Sequence, residues 1–379
     1  MLGAFSIDAY LPSFPAIGES LGVTRAAVQQ TLTVYLFTFA FMMIFYGTLS
    51  DTFGRKPVVV ASVAGYVLGS AGAALAPGYG WLLVFRAVQG LSAGGGAVVG
   101  AAIVRDLYPG SSGQRVMAYV KLVFSLAPAI APVAGGWLQV LAGWRAVFVF
   151  LTLVSLAMLV ATVRVLPESL PAGERQPAHP GRILRSYVEV GSHGRFMLQI
   201  VGMGMCFGGF SLYVSTAPDF VMKVLRLPET AFAWLFIPII IGMSLGSLLS
   251  ARLAGRMAPG RLIAMGFAVM GGTAVLNLAY AHLFVPVVPW AVLTPMFYMF
   301  GISMASPAMS LQAMDVFPEM RGMAASFQGF VQMILFATIS GTVAPLVYGD
   351  AKRLAWCLLA GWVISAVCWG AGTRRRAFN

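Results

Sequence analysis

The sequence predicts an all-α membrane protein, with twelve transmembrane helices in two pseudo-symmetric six-helix bundles around a central cavity. Three observations predict it. The 379 residues are 59% hydrophobic and only 9% charged, with a mean hydropathy of +0.86, whereas soluble domains carry about a quarter charged residues. Apolar blocks close to the ~20 residues that cross a bilayer recur at about 1–18, 27–50, 57–76, 80–104, 116–140, 144–166, 195–222, 229–251, 260–281, 286–313, 322–347 and 354–372. The longest polar stretch, 167–194, is rich in Pro, Gly and Arg and divides those blocks six and six. The expected organisation is a first bundle over 1–166, a cytoplasmic linker over 167–194 and a second bundle over 195–379.

Charge placement orients the chain. The net charge of +12 could suggest nucleic acid, but sixteen of the 24 Lys and Arg fall on one set of connectors and ends, against six on the other. That bias is the positive-inside pattern. It predicts a multi-pass membrane protein with both termini cytoplasmic, and it removes nucleic acid as a partner. Cys206, Cys357 and Cys368 all lie in apolar runs and read as small core residues. His179, His193 and His282 are far apart, without metal-ligand spacing. With neither a nucleophile–base signature nor a phosphate-binding loop, the sequence predicts no enzyme, no metal and no cofactor.

Span 1 carries Asp8 within SIDAYLPSFPAI. Counting back from Ile17 at 1.5 Å per residue puts Asp8 roughly 13–14 Å into a ~30 Å apolar core. A charged carboxylate is costly at that depth and a neutral one is not, which suits a residue that takes up and releases a proton. The bland alternative is a hydrogen bond to a helix break at Pro12 and Pro15. Asp106, Asp315 and Glu319 fall near cytoplasmic helix ends, and Asp219, Glu229 and Asp350 near periplasmic ones. Asp8 is thus the only acid expected deep in a helix.

The connector after span 2 reads GTLSDTFGRK. Gly47 and Gly54 would let helices and loop approach where a side chain would clash. Asp51 could accept hydrogen bonds from Arg55 or from the amides of another helix's N-terminus, a contact worth about 0.3–1 kcal/mol and ~2 when partly buried. Arg55 and Lys56 alone would serve only to anchor topology. Arg86 lies about 8–9 Å inside span 4 and needs a carboxylate, carbonyls or water, and Gln89 shares its face. In span 5, Pro128 and Pro132 each remove a backbone donor, and Gly135 and Gly136 permit tight packing; Lys121 in the same span reads as snorkelling. Aromatic and Met side chains abound, as a cavity for bulky amphipathic molecules requires, although lipid-facing residues look the same. Tyr10, Tyr35, Gln89 and Tyr213 are the expected substrate contacts; the tyrosines place hydroxyls near other polar residues within spans.

The halves echo each other. Gly54-Arg55 after span 2 matches Gly255-Arg256 after span 8, and RVMA from Arg115 matches RGMA from Arg321. Paired six-helix halves of this kind mark transporters with a midplane site at the repeat interface.

GTLSDTFGRK resembles the G-x-L-[SA]-D-x-x-G-R-[KR] signature of the major facilitator superfamily. FRAVQGLSAGG (Phe85 to Gly95) resembles its helix-4 motif, and APAIAPVAGGW (Ala127 to Trp137) the helix-5 motif of the drug:proton antiporter branch. SIDAYLPSFPAI with VQQTLTVYLF looks most like the bicyclomycin/chloramphenicol-resistance (Bcr/CflA-type) subgroup. The resemblance implies a monomeric alternating-access carrier, driven by the proton gradient, that exports amphipathic antibiotic-like compounds. It implies that Asp8 and Arg86 couple protons, that Asp51 faces the start of helix 11 around Arg321 to Ala325 to latch the cytoplasmic gate, and that the helix-5 motif seals against leak. Relatives carry about ten further residues before the helix-1 acid, so the expectation is either a span 1 that is short at its cytoplasmic end or a start codon assigned too late. Export of an endogenous metabolite, or a non-transporting receptor or scaffold on the same fold, are the alternatives.

Overall fold

The computed structural model describes residues 2–108, 111–175, 180–318 and 320–373. His179, Glu319, Arg374 to Arg376 and the side chains of Lys121 and Arg182 lie outside the described residues. The described residues form helices joined by turns and short irregular segments, and the chain divides into two compact units, Met1–Pro180 and Gly181–Asn379. Among the described residues, ten helical segments are long and apolar enough to cross a membrane. The two remaining expected spans are the first, which is broken, and the fifth, a single 32-residue helix.

In the first unit, α1 (Leu2–Asp8) stops at Asp8, a short 3-10 turn covers Leu11–Ser13, and α2 (Phe14–Leu21) completes the span. Sequence arithmetic put Asp8 inside a continuous helix; the structure puts it at the end of one. Pro12 is the cause, because a helix continuing past Asp8 would need the Pro12 nitrogen to donate to the Asp8 carbonyl. The α3 helix (Arg25–Phe53) begins at Thr24, whose hydroxyl accepts from the Ala27 amide at 3.3 Å. It runs through the motif as far as Phe53, so the expected connector shrinks to Gly54, with φ +99°. Next come α4 (Arg55–Ala74), α5 (Tyr79–Ala93) and α6 (Gly95–Leu107), the last two joined at Gly94. The α7 helix (Ser111–Ala142) continues through Pro128 and Pro132, and α8 (Trp144–Val165) follows it after Gly143.

The second unit opens with α9 (Pro180–Ser192) inside the stretch read as a linker. Its apolar side holds Val190, which is fully buried, and Tyr187, whose ring packs on Phe327. Then come α10 (Gly194–Asp219), α11 (Ala233–Leu253), α12 (Pro259–Leu283), α13 (Trp290–Met314), α14 (Arg321–Thr338) and α15 (Ala351–Thr373). A π-turn follows α10 at Phe220–Val224 and another follows α14 at Ile339–Val343. Gly242 and Gly246 of α11 lie against the Met296 and Phe300 carbonyls of α13, which lets the two helices meet at backbone distance. Gly255 adopts φ +77° at the place in this unit that Gly54 holds in the first. Leu68, Leu141, Leu276 and Val367 expose more than three-fifths of their surface, as side chains facing lipid do.

Candidate functional site

Two polar assemblies occupy the first unit. The deeper one centres on Arg86, which is 0% exposed. Its guanidinium lies 4.6 Å from the Tyr10 ring centroid and 4.3 Å from that of Tyr35, flanked by two aromatic faces. Nη1 donates to Gln89 Oε1 at 2.9 Å and to the Ser6 carbonyl at 3.3 Å, and Nε donates to the Thr31 carbonyl at 3.4 Å. Nη2 finds no acceptor among the described residues. Gln89 in turn donates to Ser70 at 2.8 Å. The Tyr10 hydroxyl bonds Thr31, the Ser6 hydroxyl bonds Tyr66, and Tyr35 donates to the Gly3 carbonyl at 3.1 Å. Of the partners expected for Arg86, carbonyls are present, those of Ser6 and Thr31.

Asp8 is buried on the same broken helix, two residues beyond Ser6, and within electrostatic range of the Tyr35 hydroxyl. It makes no hydrogen bond and no ion pair among the described residues. Span 5 holds the break in place. Gly135 of α7 lies against the Ala9 backbone so closely that a Cβ would run into the Ala9 carbonyl. Pro132 and Gly136 are buried on the same helix, and Pro128 is half-buried. The motif glycine of span 5 therefore touches the residue next to the acid, a contact that no spacing in the sequence displayed.

Tyr10, Tyr35 and Gln89, expected as substrate contacts, are brought together around Arg86. Tyr213 belongs to the second unit, where Asn277 donates to its hydroxyl at 3.3 Å. Asp219, at the end of α10, is another buried acid; its carboxylate accepts from the Gly349 amide.

The second assembly surrounds Arg55. Its guanidinium bonds Asp51, Ser50 at 2.7 Å and Asp106 at 3.0 Å. Glu168 accepts the Arg55 amide at 2.9 Å and so caps the start of α4. Ser169 donates to Asp106 at 3.0 Å, and Arg175 lies 3.8 Å from Glu168. A Cβ on Gly54 would strike Glu168, so the close approach expected at Gly54 is present. The one expected at Gly47 is not: Gly47 is helical, with no neighbour within 4 Å of where a Cβ would sit. Lys56 donates to the Val163 carbonyl at 3.0 Å. Sequence reasoning missed Asp106, Glu168, Ser169 and Arg175 as members. The signal available was charge balance, since Asp51 alone cannot satisfy both Arg55 and Lys56. Removing the cap with Glu168→Ala is expected to cost about 1 kcal/mol locally and to lower the thermal unfolding midpoint of the purified protein. An unchanged midpoint would remove Glu168 from this role.

A chain of bilayer-length helices in two sequence-related halves, with an acid and an arginine sealed inside one of them, is a polytopic membrane transporter rather than an enzyme. The chain belongs to the Major Facilitator Superfamily, whose profile matches residues 1–341. It is 27% identical to a bicyclomycin resistance protein homolog of Haemophilus influenzae, over 97% of this chain and 92% of that protein. It is 24% identical to multidrug resistance protein D of Escherichia coli over the same shares, and 31% identical to a chloramphenicol resistance protein of Pseudomonas aeruginosa over 68% of this chain and 60% of that one. The fold is that of the D-xylose-proton symporter (TM-score 0.77, 14% identity, 97% of this chain and 95% of that one). The human organic anion transporter MFSD10 shares it as well (TM-score 0.70, 18% identity, 98% and 96%). The superfamily and subgroup resemblance drawn from the motifs is thereby shown.

Proposed function

We propose that the protein exports amphipathic, antibiotic-like compounds from the bacterial cytoplasm in exchange for protons, by alternating access. The observation that carries this reading is a buried carboxylate with no counter-ion among the described residues, Asp8, in the same unit as a buried guanidinium with an unused donor, Arg86, with Tyr35 in electrostatic range of both. Several relatives bear names of resistance to bicyclomycin, chloramphenicol or multiple drugs, which supports the substrate class. Asp8 carries the proton, and Arg86 responds to its charge through Ser6 and Tyr35. Asp51 and Arg55 latch the cytoplasmic gate against the start of helix 11, and the helix-5 motif limits leak. Tyr10, Tyr35, Gln89 and Tyr213 contribute to substrate recognition. The carrier works as a monomer in the inner membrane with both termini cytoplasmic, and the proton gradient alone drives it.

The test is drug susceptibility of cells expressing the protein, followed by transport in proteoliposomes. Expression is expected to raise tolerance to at least one amphipathic antibiotic, and a protonophore to abolish that tolerance. In proteoliposomes an imposed pH gradient should drive accumulation of the same compound. Unchanged sensitivity across a broad panel, or transport indifferent to the gradient, would overturn the proposal.

A further inference from the structure

The repeat that relates Arg55 to Arg256 hides a difference. Arg55 is tied to two carboxylates, whereas the Arg256 side chain is exposed and has no hydrogen-bond or ion-pair partner among the described residues. The side chains of Arg252, in the last turn of α11, and Arg261, in the first turn of α12, are exposed and equally unengaged among the described residues. Arg195 is a fourth, and its carbonyl packs against Gly372 of α15. Asp315, an acid at the same end of the unit, is already paired with Arg321 at 2.8 Å.

A groove of about 470 Å³ lies between α12, α13 and α15, lined by Gly260, the residue before Arg261, and by Ile263, Phe267, Gln312, Trp369 and Thr373 among others. Gly260 is the second residue of its span and Thr373 the last of its own, so the groove opens where the spans meet the headgroup layer. Its deeper wall is apolar, from Ile263, Phe267 and Trp369. At its mouth, the Gln312 side chain has no hydrogen-bond partner among the described residues. The first unit has a groove of about 560 Å³ lined by Met42, Leu49, Phe53 and Val58, but there Arg55 and Lys56 are both engaged.

We infer that the α12–α13–α15 groove binds an anionic phospholipid of the surrounding bilayer. One acyl chain lies along Ile263, Phe267 and Trp369, and the headgroup phosphate meets Arg256 and Arg261, with Gln312 donating to an ester or phosphate oxygen. Basic clefts between spans at the cytoplasmic face are built for this class of ligand, and guanidinium forks match phosphate geometry. Since the side chains of these arginines have no acid of their own among the described residues, they complement a ligand that brings the charge.

The test uses the full-length protein in nanodiscs of phosphatidylcholine containing a minor fraction of phosphatidylglycerol, with lipid retained after detergent extraction counted by mass spectrometry. Wild type is expected to retain phosphatidylglycerol well above its bulk share. Arg256→Gln with Arg261→Gln should reduce that enrichment by roughly five-fold per arginine. Gly370→Leu provides an arm that keeps every charge: Gly370 lines the groove with nothing within 4 Å of its Cβ position, so leucine fills the space without a clash. It too should abolish enrichment. Retention at wild-type level in either variant would overturn the inference. So would displacement of the lipid by inorganic phosphate but not by chloride of equal ionic strength, because the arginines would then be a site for a free anion.

Discussion

Asp8→Asn is expected to abolish gradient-driven export while the protein still inserts and binds its substrate. Swinging a two-state carrier from 1:99 to 99:1 takes about 5.5 kcal/mol of differential stabilisation. Charging a carboxylate inside a membrane protein costs several kcal/mol when no cation pairs with it, so a single proton on Asp8 has the right size to move the equilibrium. Asparagine matches the shape of the neutral acid and can never acquire the charge. Accumulation driven by a pH gradient should fall to the level of empty vesicles, whereas substrate affinity should change by no more than a few-fold. The energetic setting is specific to this residue. Asp219 is also buried, but its carboxylate already accepts the Gly349 amide. Full gradient-driven transport by Asp8→Asn would sink the coupling role of Asp8 and with it the antiport reading.

Gly135→Val should be nearly as damaging, for a steric reason. A Cβ there meets the Ala9 carbonyl, which is backbone and cannot rotate away. Overpacking of this kind typically costs 1–3 kcal/mol and shifts the backbone, and here the shift moves the residue that follows Asp8. Export should drop at least ten-fold with expression largely retained, measured as substrate efflux per molecule in the membrane. Gly47→Ala is the matched comparison. It belongs to the other motif but has open space around it, so transport should be unchanged, and helix propensity at that position improves by up to about 1 kcal/mol. Wild-type efflux from Gly135→Val would show that the contact with Ala9 does not hold the break, and lost efflux from Gly47→Ala would show that Gly47 packs tightly at some stage of transport.

By itself the sequence determined the helical membrane class, the block pattern and the superfamily, because each rests on quantities carried along the chain. The apolar runs fix bilayer spans whatever the packing, and GTLSDTFGRK carries its signature in one continuous stretch. The same holds for Arg86: a guanidinium inside an apolar run announces a buried polar site before any neighbour is known. What the tertiary structure decided are the partners. Asp51 reaches Arg55 from within the motif, but the second acid, Asp106, and the Glu168 cap come from 51 and 113 positions away in the chain, and only folding brings α6 and the 167–175 segment to the start of α4. The break at Asp8 is written locally in Pro12, but its seat on Gly135 joins residues from opposite ends of the first unit. Gly47 and Gly135 look equally conspicuous as motif glycines; contact with another backbone, which sequence does not encode position by position, is what separates them. The difference between Arg55 and Arg256 is partly local, since Arg252 stands four residues before Arg256 where Asp51 precedes Arg55, and partly tertiary, since Asp106 and Glu168 lie elsewhere in the chain.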